Sequence, residues 1–406
     1  MTAGIGLAAI EEAAERLRGV TTLTPVEEST SLSGIAGTRV VLKCENLQRT
    51  GSFKLRGAYL RLSRLTAEEK ARGVVAASAG NHAQGVALAA RELGISAVVY
   101  MPQNAALPKL SATRGYGAEV RQAGSDLAGT LAAAQHEAAE TGRVFIPPFD
   151  HSDVITGQAT IGLEVLDQVP GVRTILVPTG GGGLLAGVAA AVHARGADVR
   201  VIGVQAAGAA AFPASLAAGH PVPLTRINTI ADGIAVPSPS DLTLGIVRDH
   251  VAEVRTVSEE DLARAILLLS ERAKLVVEPS GAAGVAALLD GAEGLEGPVA
   301  VILSGGNVDT LVLYRILRHG LVAAGRYLQM EVRVPDQPGS LAGLLGVLAE
   351  TGSNVVSIKH DRTGADLGVA EVQIGVELET KGLSHCRDVL TALRAEGYGV
   401  VFQSVE

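Results

Sequence analysis

The chain has 406 residues, of which 47% are hydrophobic and 49 are glycine, enough material for two or three domains around tightly packed α/β cores. A formal net charge of −8, with no block of like charge, argues against nucleic acid or an anionic membrane surface as the natural partner. Its two cysteines, Cys44 and Cys386, are too few and too far apart for a disulfide framework or a thiolate metal site, and both read as reduced and structural.

The N-terminal stretch "MTAGIGLAAIEEAAERL" has no basic leader and reads as an acidic amphipathic helix rather than a signal peptide. The most apolar run, "GGGGLLAGVAAAVHA" at 180–194, falls short of the roughly 18 residues a membrane-spanning helix needs. A cytoplasmic protein is expected. From about residue 20 to 320, β-branched runs alternate with Ala-rich helical stretches, the pattern of an α/β protein with mostly parallel sheets. Strands are expected at 39–45, 73–78, 96–102, 174–179, 200–205 and 299–305. Such sheets bind ligands at the carboxyl ends of their strands, so the loops after these runs are where chemistry is sought.

Four loops stand out in chain order. In "TGSFKLRGAY" at 50–59, Ser52 reads as an N-cap, which puts Lys54 in the first turn of a helix. The helix macrodipole disfavours a cation there by roughly 0.3–1 kcal/mol, so the lysine needs a chemical reason. In "GVVAASAGNHAQG" a strand stops at Ser78 and a helix begins at about His82, aiming backbone N–H groups outward, a geometry that binds carboxylate or phosphate. In "ILVPTGGGGLLAG" the run Gly180 to Gly183 precedes a helix and reads as an anion nest. It matches the relaxed dinucleotide pattern through Gly181, Gly183 and Ala186. However, Gln205 stands about 20 residues on, where a ribose-binding acid is expected, and no Lys-Ser/Thr pair makes it a P-loop. The fourth, "VAVILSGGNVD", ends a strand with Ser304 ahead of two glycines, a weak signal alone. Together, a phosphate cradle and an amine whose ammonium form is disfavoured suit pyridoxal phosphate held on Lys54. The helix start then helps lower the lysine pKa, so that its free amine acts as a base near neutral pH.

Near residue 325 the texture changes. From "RYLQMEVRVPDQPGSL" onward the pattern is βαββαβ over about 80 residues, with Ser340 capping the first helix, a ferredoxin-like unit. Two domains are therefore expected: 1–324, with a small subdomain at about 50–150 inserted, and 325–406.

The motifs "SFKLRGA", "SAGNHAQG", "PTGGGGL" and "LSGGN", in this order and spacing, resemble the fold type II pyridoxal-phosphate enzymes, and within them the threonine dehydratase (threonine ammonia-lyase) family. The segment "VPDQPGSLAGLLGVLAETGSNVVSI" is similar to an ACT regulatory domain, so the resemblance covers essentially the whole chain. It implies two mostly parallel open sheets with helices on both faces, followed by the ACT unit.

By resemblance, Lys54 matches the lysine that holds the cofactor and takes the Cα proton, and Phe53 lies beside the ring. Asn81 matches the partner of the 3-hydroxyl, and Gly180, Gly181, Gly182, Gly183 and Leu184 match the phosphate loop. Ser304 matches the partner of the pyridine nitrogen. Ser78, Ala79, Gly80, Asn81 and His82 match the loop that receives the substrate carboxylate. For His82 the alternative is a helix-start residue with its ring in solvent.

A serine at the pyridine nitrogen does not hold that nitrogen protonated, which favours prompt loss of a β-leaving group over transamination or racemisation. The implied activity converts L-threonine to 2-oxobutanoate and ammonia, with some L-serine converted to pyruvate. Serine racemases, which are relatives, place a serine where this chain has Ala79. They also hold a divalent ion with acidic residues where Gln205, Ala209 and Ala211 stand, so no divalent metal is expected here. Asp232 and Glu278 are expected to be structural carboxylates.

The ACT resemblance places Gln337, Gly339, Ser340 and Asn354 where amino acids bind across a dimer interface. It implies an allosteric isoleucine or valine and a homodimer or homotetramer. A dehydratase for L-serine or a bulkier 3-hydroxy amino acid, a non-catalytic amino-acid sensor and a nicotinamide-dependent oxidoreductase remain as alternatives. Roles in isoleucine synthesis or in threonine breakdown both stay open.

Overall fold

The structure is a computed structural model that describes residues 5–362 and 367–402. The chain divides into two compact units after Thr310. In the first, the strands are β1 (Val26–Glu28), β2 (Val40–Lys43), β3 (Val74–Ala77), β4 (Ala97–Met101), β5 (Glu119–Gln122), β6 (Val144–Phe145), β7 (Thr174–Pro178), β8 (Arg200–Ala206), β9 (Glu253–Val257) and β10 (Val299–Ile302). They form two sheets, a larger one in the order β1-β2-β10-β7-β8-β9 and a smaller one in the order β5-β4-β3-β6. Only β1 runs antiparallel to its neighbour.

Residues in β2, β3, β7 and β10 are buried without alternation, because helices cover both faces of a parallel sheet and every side chain points into a core. The larger core joins Ile175, Val177, Leu184, Val188 and Ile302, and the smaller one Val74, Ala76, Val86, Val99 and Met101. No helix among the described residues is long and apolar enough to cross a membrane.

All six strands expected here are present, and the four that were missed, β1, β5, β6 and β9, are the sheet edges. An edge strand faces water on one side and carries charge there, as in "EVRQ" and "EVRTV", so it lacks the apolar run that marks an interior strand. The larger sheet has its switch point between β7 and β10. From β7 the chain moves outward to β8 and then β9, while β10 returns on the other side beside β2. The loops after β7 and β10 therefore flank the crevice where open α/β sheets take ligands.

In the second unit, β11 (Tyr327–Pro335), β12 (Asn354–Asp361), β13 (Glu371–Glu379) and β14 (Gly399–Phe402) form an antiparallel sheet in the order β12-β13-β11-β14. Alternation returns here: Leu328, Met330, Val332 and Val334 face the helices Ser340–Glu350 and Leu383–Ala395, while the residues between them are partly exposed. The cap of the first of these helices is Gly339, at φ +95°, and not Ser340, because the turn needs a left-handed residue that glycine adopts without strain. The helix Thr310–Ala323 leads into this unit, where Arg318 meets Glu377 at 2.7 Å; the texture of the sequence changes only after that helix.

Candidate active site

The Lys54 segment is pinned to the end of β10. Ser52 pairs with Gly305 in an antiparallel bridge, the Phe53 N–H donates to the Ser304 carbonyl at 3.2 Å, and the Gly306 N–H donates to Gly51 at 2.9 Å. These bonds, rather than a serine cap, set the helix start. Phe53 holds the N-cap position of the helix Lys54–Ser63, and the buried Ser52 hydroxyl makes no hydrogen bond within the protein. Lys54 is thus the first helical residue. Its Nζ donates to the Pro148 carbonyl at 2.8 Å and lies 5.1 Å from the centre of the Phe53 ring. Burial pulls the amine down to about 8, against the opposing charge of Glu278.

The second loop bends on its own side chain, since the Gly80 N–H donates to Ser78 Oγ at 3.1 Å. The helix Asn81–Leu93 follows with no side-chain cap, so its first N–H groups are open to an anion. Ala79 adds only a methyl group to this loop. The His82 ring is neither in solvent nor in the loop: it is buried, with Nε2 2.9 Å from the Ile146 carbonyl. Burial first, and the Lys54 charge second, hold it down to about 3, so the ring is neutral and donates to that carbonyl.

The glycine run enters the helix Gly183–Ala194, which also starts without a side-chain cap. Gly182 stands at φ +91°, and a Cβ on Gly181 would lie 2.5 Å from the Phe149 ring. These two positions exclude other residues for different reasons, backbone conformation and space. Leu184 is buried in the larger core and anchors the loop from beneath. Ser304 is buried at the end of β10.

Three of these loops meet one stretch that the sequence reading passed over, Ile146-Pro147-Pro148-Phe149. Ile146 binds His82, Pro148 binds Lys54 and Phe149 packs on the glycine run. Its signal is a pair of prolines beside an aromatic residue directly after a strand, where the chain is stiff and its carbonyls have no ladder partner.

Two further residues, Asn307 and Glu278, connect to Asn81. Asn307 donates Nδ2 to the Thr50 carbonyl and to Asn81 Oδ1, both at 2.7 Å, and Asn81 Nδ2 donates to Glu278 Oε1 at 2.6 Å. Burial first, and the Asp232 carboxylate second, push Glu278 up to about 7. Asp232 itself bridges to Lys109 at 2.5 Å. Gln205 clamps its own loop, accepting from the Phe212 N–H at 2.9 Å and donating to Ala209.

The residues fit pyridoxal phosphate. Two uncapped helix starts suit its phosphate and a substrate carboxylate, and a lysine with a loosened proton suits its carbonyl carbon. Two buried hydroxyls make no hydrogen bond within the protein: Ser52, bridged to Gly305, and Ser280, which faces Gly233.

In the second unit, Gln337, Gly339 and Ser340 line a cavity of about 220 Å³ with Asp336, His360 and Arg362. Asn354 is not among its lining residues. It begins β12, whose opposite end carries His360, and its side chain donates to Glu379 at 3.0 Å. A strand separates its ends by about 3.3 Å per residue, so one strand cannot bring both to a single ligand.

Residues 17–305 match the family of pyridoxal-phosphate dependent enzymes, and residues 329–381 match the ACT domain. The chain is 45% identical to an L-threonine ammonia-lyase of Thermotoga maritima, over 98% of this chain and 99% of the relative. Among solved structures, the T.th. threonine deaminase is 43% identical with a TM-score of 0.71, covering 75% of this chain and 99% of that one. Maize serine racemase is 37% identical with a TM-score of 0.74, covering 76% and 96%.

Proposed function

We propose a function from this premise: the chain belongs to the pyridoxal-phosphate dependent enzymes and carries an ACT domain toward its C-terminus. It is an L-threonine ammonia-lyase, converting L-threonine to 2-oxobutanoate and ammonia and some L-serine to pyruvate. The observation that carries this reading is the Lys54 amine, bonded to the Pro148 carbonyl in the stretch that three of the loops share, with its pKa lowered to about 8 by burial. The near full-length relative named for threonine supports the substrate.

Pyridoxal phosphate, when bound, supplies the electron sink that makes the substrate Cα proton acidic and lets the β-hydroxyl depart. The glycine run from Gly180 to Gly183 would hold its phosphate, Asn81 would donate to its ring oxygen, and Ser304 would offer a hydroxyl to its ring nitrogen. The loop from Ser78 to His82 takes the substrate carboxylate on backbone N–H groups. Neutral His82 adds no charge there and braces the loop through Ile146. Lys54 removes the Cα proton, because near neutral pH a useful fraction of an amine with this pKa is unprotonated.

The likeness to maize serine racemase favours racemisation as a second reading. Ala79 carries no exchangeable proton for the opposite face of the substrate, so racemisation is expected to be weak. For the ACT domain, the cavity at Gln337, Gly339 and Ser340 is the site proposed for isoleucine or valine, with Asn354 contributing only from another protomer of a homodimer or homotetramer. Feedback of this kind would place the enzyme in isoleucine biosynthesis, in the cytoplasm.

The test is to give the cofactor-loaded protein L-threonine and L-serine in parallel and follow oxo-acid and ammonia release, with Lys54→Ala as control. Threonine is expected to turn over faster than serine, and the variant to lose about 10⁴-fold in rate, the upper range for a positioned base. Oxo acid from serine alone would move the reading to a serine dehydratase. No oxo acid from either would move the reading to another β-elimination or β-replacement substrate if the protein shows bound-cofactor absorbance, and to an amino-acid sensor if it does not.

A further inference from the structure

Glu278 occupies the N-cap position of the helix Pro279–Asp290, yet its carboxyl makes no cap bond. The residue is 3% exposed, and its Oε1 is spent on Asn81 instead. Two features bring it there. Its backbone N–H donates to the Gly305 carbonyl at 3.1 Å, and a Cβ on Gly305 would stand 2.4 Å from Oε1, so residue 305 must be glycine for the carboxyl to reach Asn81.

The direction of the hydrogen bonds is set from outside the site. The Thr50 carbonyl only accepts, so Asn307 turns Nδ2 toward it and gives its second hydrogen to Asn81 Oδ1. Asn81 must then present Nδ2 to Glu278, which takes one of the two hydrogens on that nitrogen. The other N–H is left for a ligand.

We propose that Glu278 is a positioning residue of this active site: its carboxyl orients the Asn81 amide to donate to the ring oxygen of the cofactor, and its charge, once ionised, steadies the ammonium form of Lys54. The proposal rests on the cofactor reading above. The charged groups around Glu278 are Asp232, which pushes its pKa up after burial, and Lys109 and Lys54, which oppose that rise together with the Asn81 bond. His82, beside Lys54, is neutral. As pH rises through about 7, Glu278 therefore becomes an anion and favours the Lys54 proton. A neutral isostere removes that influence.

The experiment follows uptake of pyridoxal phosphate by the full-length apoprotein, by absorbance, between about pH 6 and 9. Uptake needs the unprotonated lysine, so its rate against pH reports the titration of Lys54. Glu278→Gln is expected to take up the cofactor fully, with the midpoint moved down by about 0.5 pH units or more. Glu278→Asp keeps the charge but is too short to brace Asn81, so it is expected to keep the wild-type midpoint and bind the cofactor about 10-fold more weakly. A midpoint in Glu278→Gln equal to that of the wild type, or wild-type cofactor affinity in Glu278→Asp, overturns the proposal. A wild-type chain that takes up no cofactor overturns the cofactor reading, and the proposal with it.

Discussion

Lys54 and Arg56 stand two positions apart at the start of one helix, the first part-buried and the second buried, and their surroundings treat them in opposite ways. Arg56 is 1% exposed and fully partnered: its guanidinium makes two bonds to Glu45, at 2.9 and 2.8 Å, and two to Glu164, at 2.6 and 2.9 Å. Lys43 completes the cluster, donating to Glu164, Gln168 and the Thr24 carbonyl. Two cations face two carboxylates. Although burial works against both charges, the pairing holds Glu45 below its ordinary range and Arg56 above its own. Lys54 has only a carbonyl, an aromatic ring and one carboxyl, Glu278, whose own pKa is pushed up to about 7. Burial is therefore opposed by that one carboxyl alone. What separates the structural pin from the reactive group here is the supply of partners: the more deeply buried Arg56 keeps its charge, while the part-buried Lys54 has its pKa lowered.

Removing the partners of the paired cluster should have the largest effect on stability. Arg56→Ala leaves Glu45 and part of Glu164 uncompensated, and denaturant unfolding near neutral pH is expected to show a loss of about 3–5 kcal/mol. A loss under about 1 kcal/mol would break the contrast, since it would put Arg56 in the class of ordinary surface ion pairs.

At the reactive cluster the opposite sign is expected. The folded-state pKa of Glu278 lies above its ordinary value, so between about 4.5 and 7 the folded chain keeps a proton that the unfolded chain has lost. Stability therefore falls as pH rises through that window. Glu278→Gln is expected to be more stable than the wild type by about 1–3 kcal/mol at pH 8, with the gain closing below about pH 5. Equal stability at pH 8 would mean that the carboxyl is better partnered than its single bond to Asn81 indicates.

The smallest effect sharpens the same contrast. Asp232→Asn removes a neighbour that raises Glu278, so the downward slope of stability should end at a lower pH, by about 0.3 units. Its ion pair with Lys109 is 59% exposed on the Asp232 side, so overall stability should change by less than about 1 kcal/mol. A larger loss in a denaturation series would make that pair a structural joint.

Local chemistry carried the sequence reading a long way. The interior strands were legible because a parallel strand covered on both faces writes a continuous apolar run, and the edge strands were not, because their charged solvent side erases it. Lys54 and the run from Gly180 to Gly183 stand out in the sequence because each departs from what its local structure prefers, whereas Asn81 and Ser304 were given their roles only through the family resemblance. Ser52 misled, since a serine before a helix is usually its cap, and only the bridge to Gly305 moves the start of the helix to Lys54.

By itself, then, the sequence determined the order of the interior strands, the two-part organisation and the glycine-rich loops that follow those strands, because these depend on neighbours along the chain. Tertiary structure alone decided that Ile146 to Phe149 form a shared wall, that His82 is neutral, that Glu278 reaches Asn81 and that Asn354 stands apart from the Ser340 cavity. Each of these turns on a partner from a distant part of the chain or on the far end of a strand. The partners of a buried polar group, which set both its direction and its charge, exist only once the chain has folded.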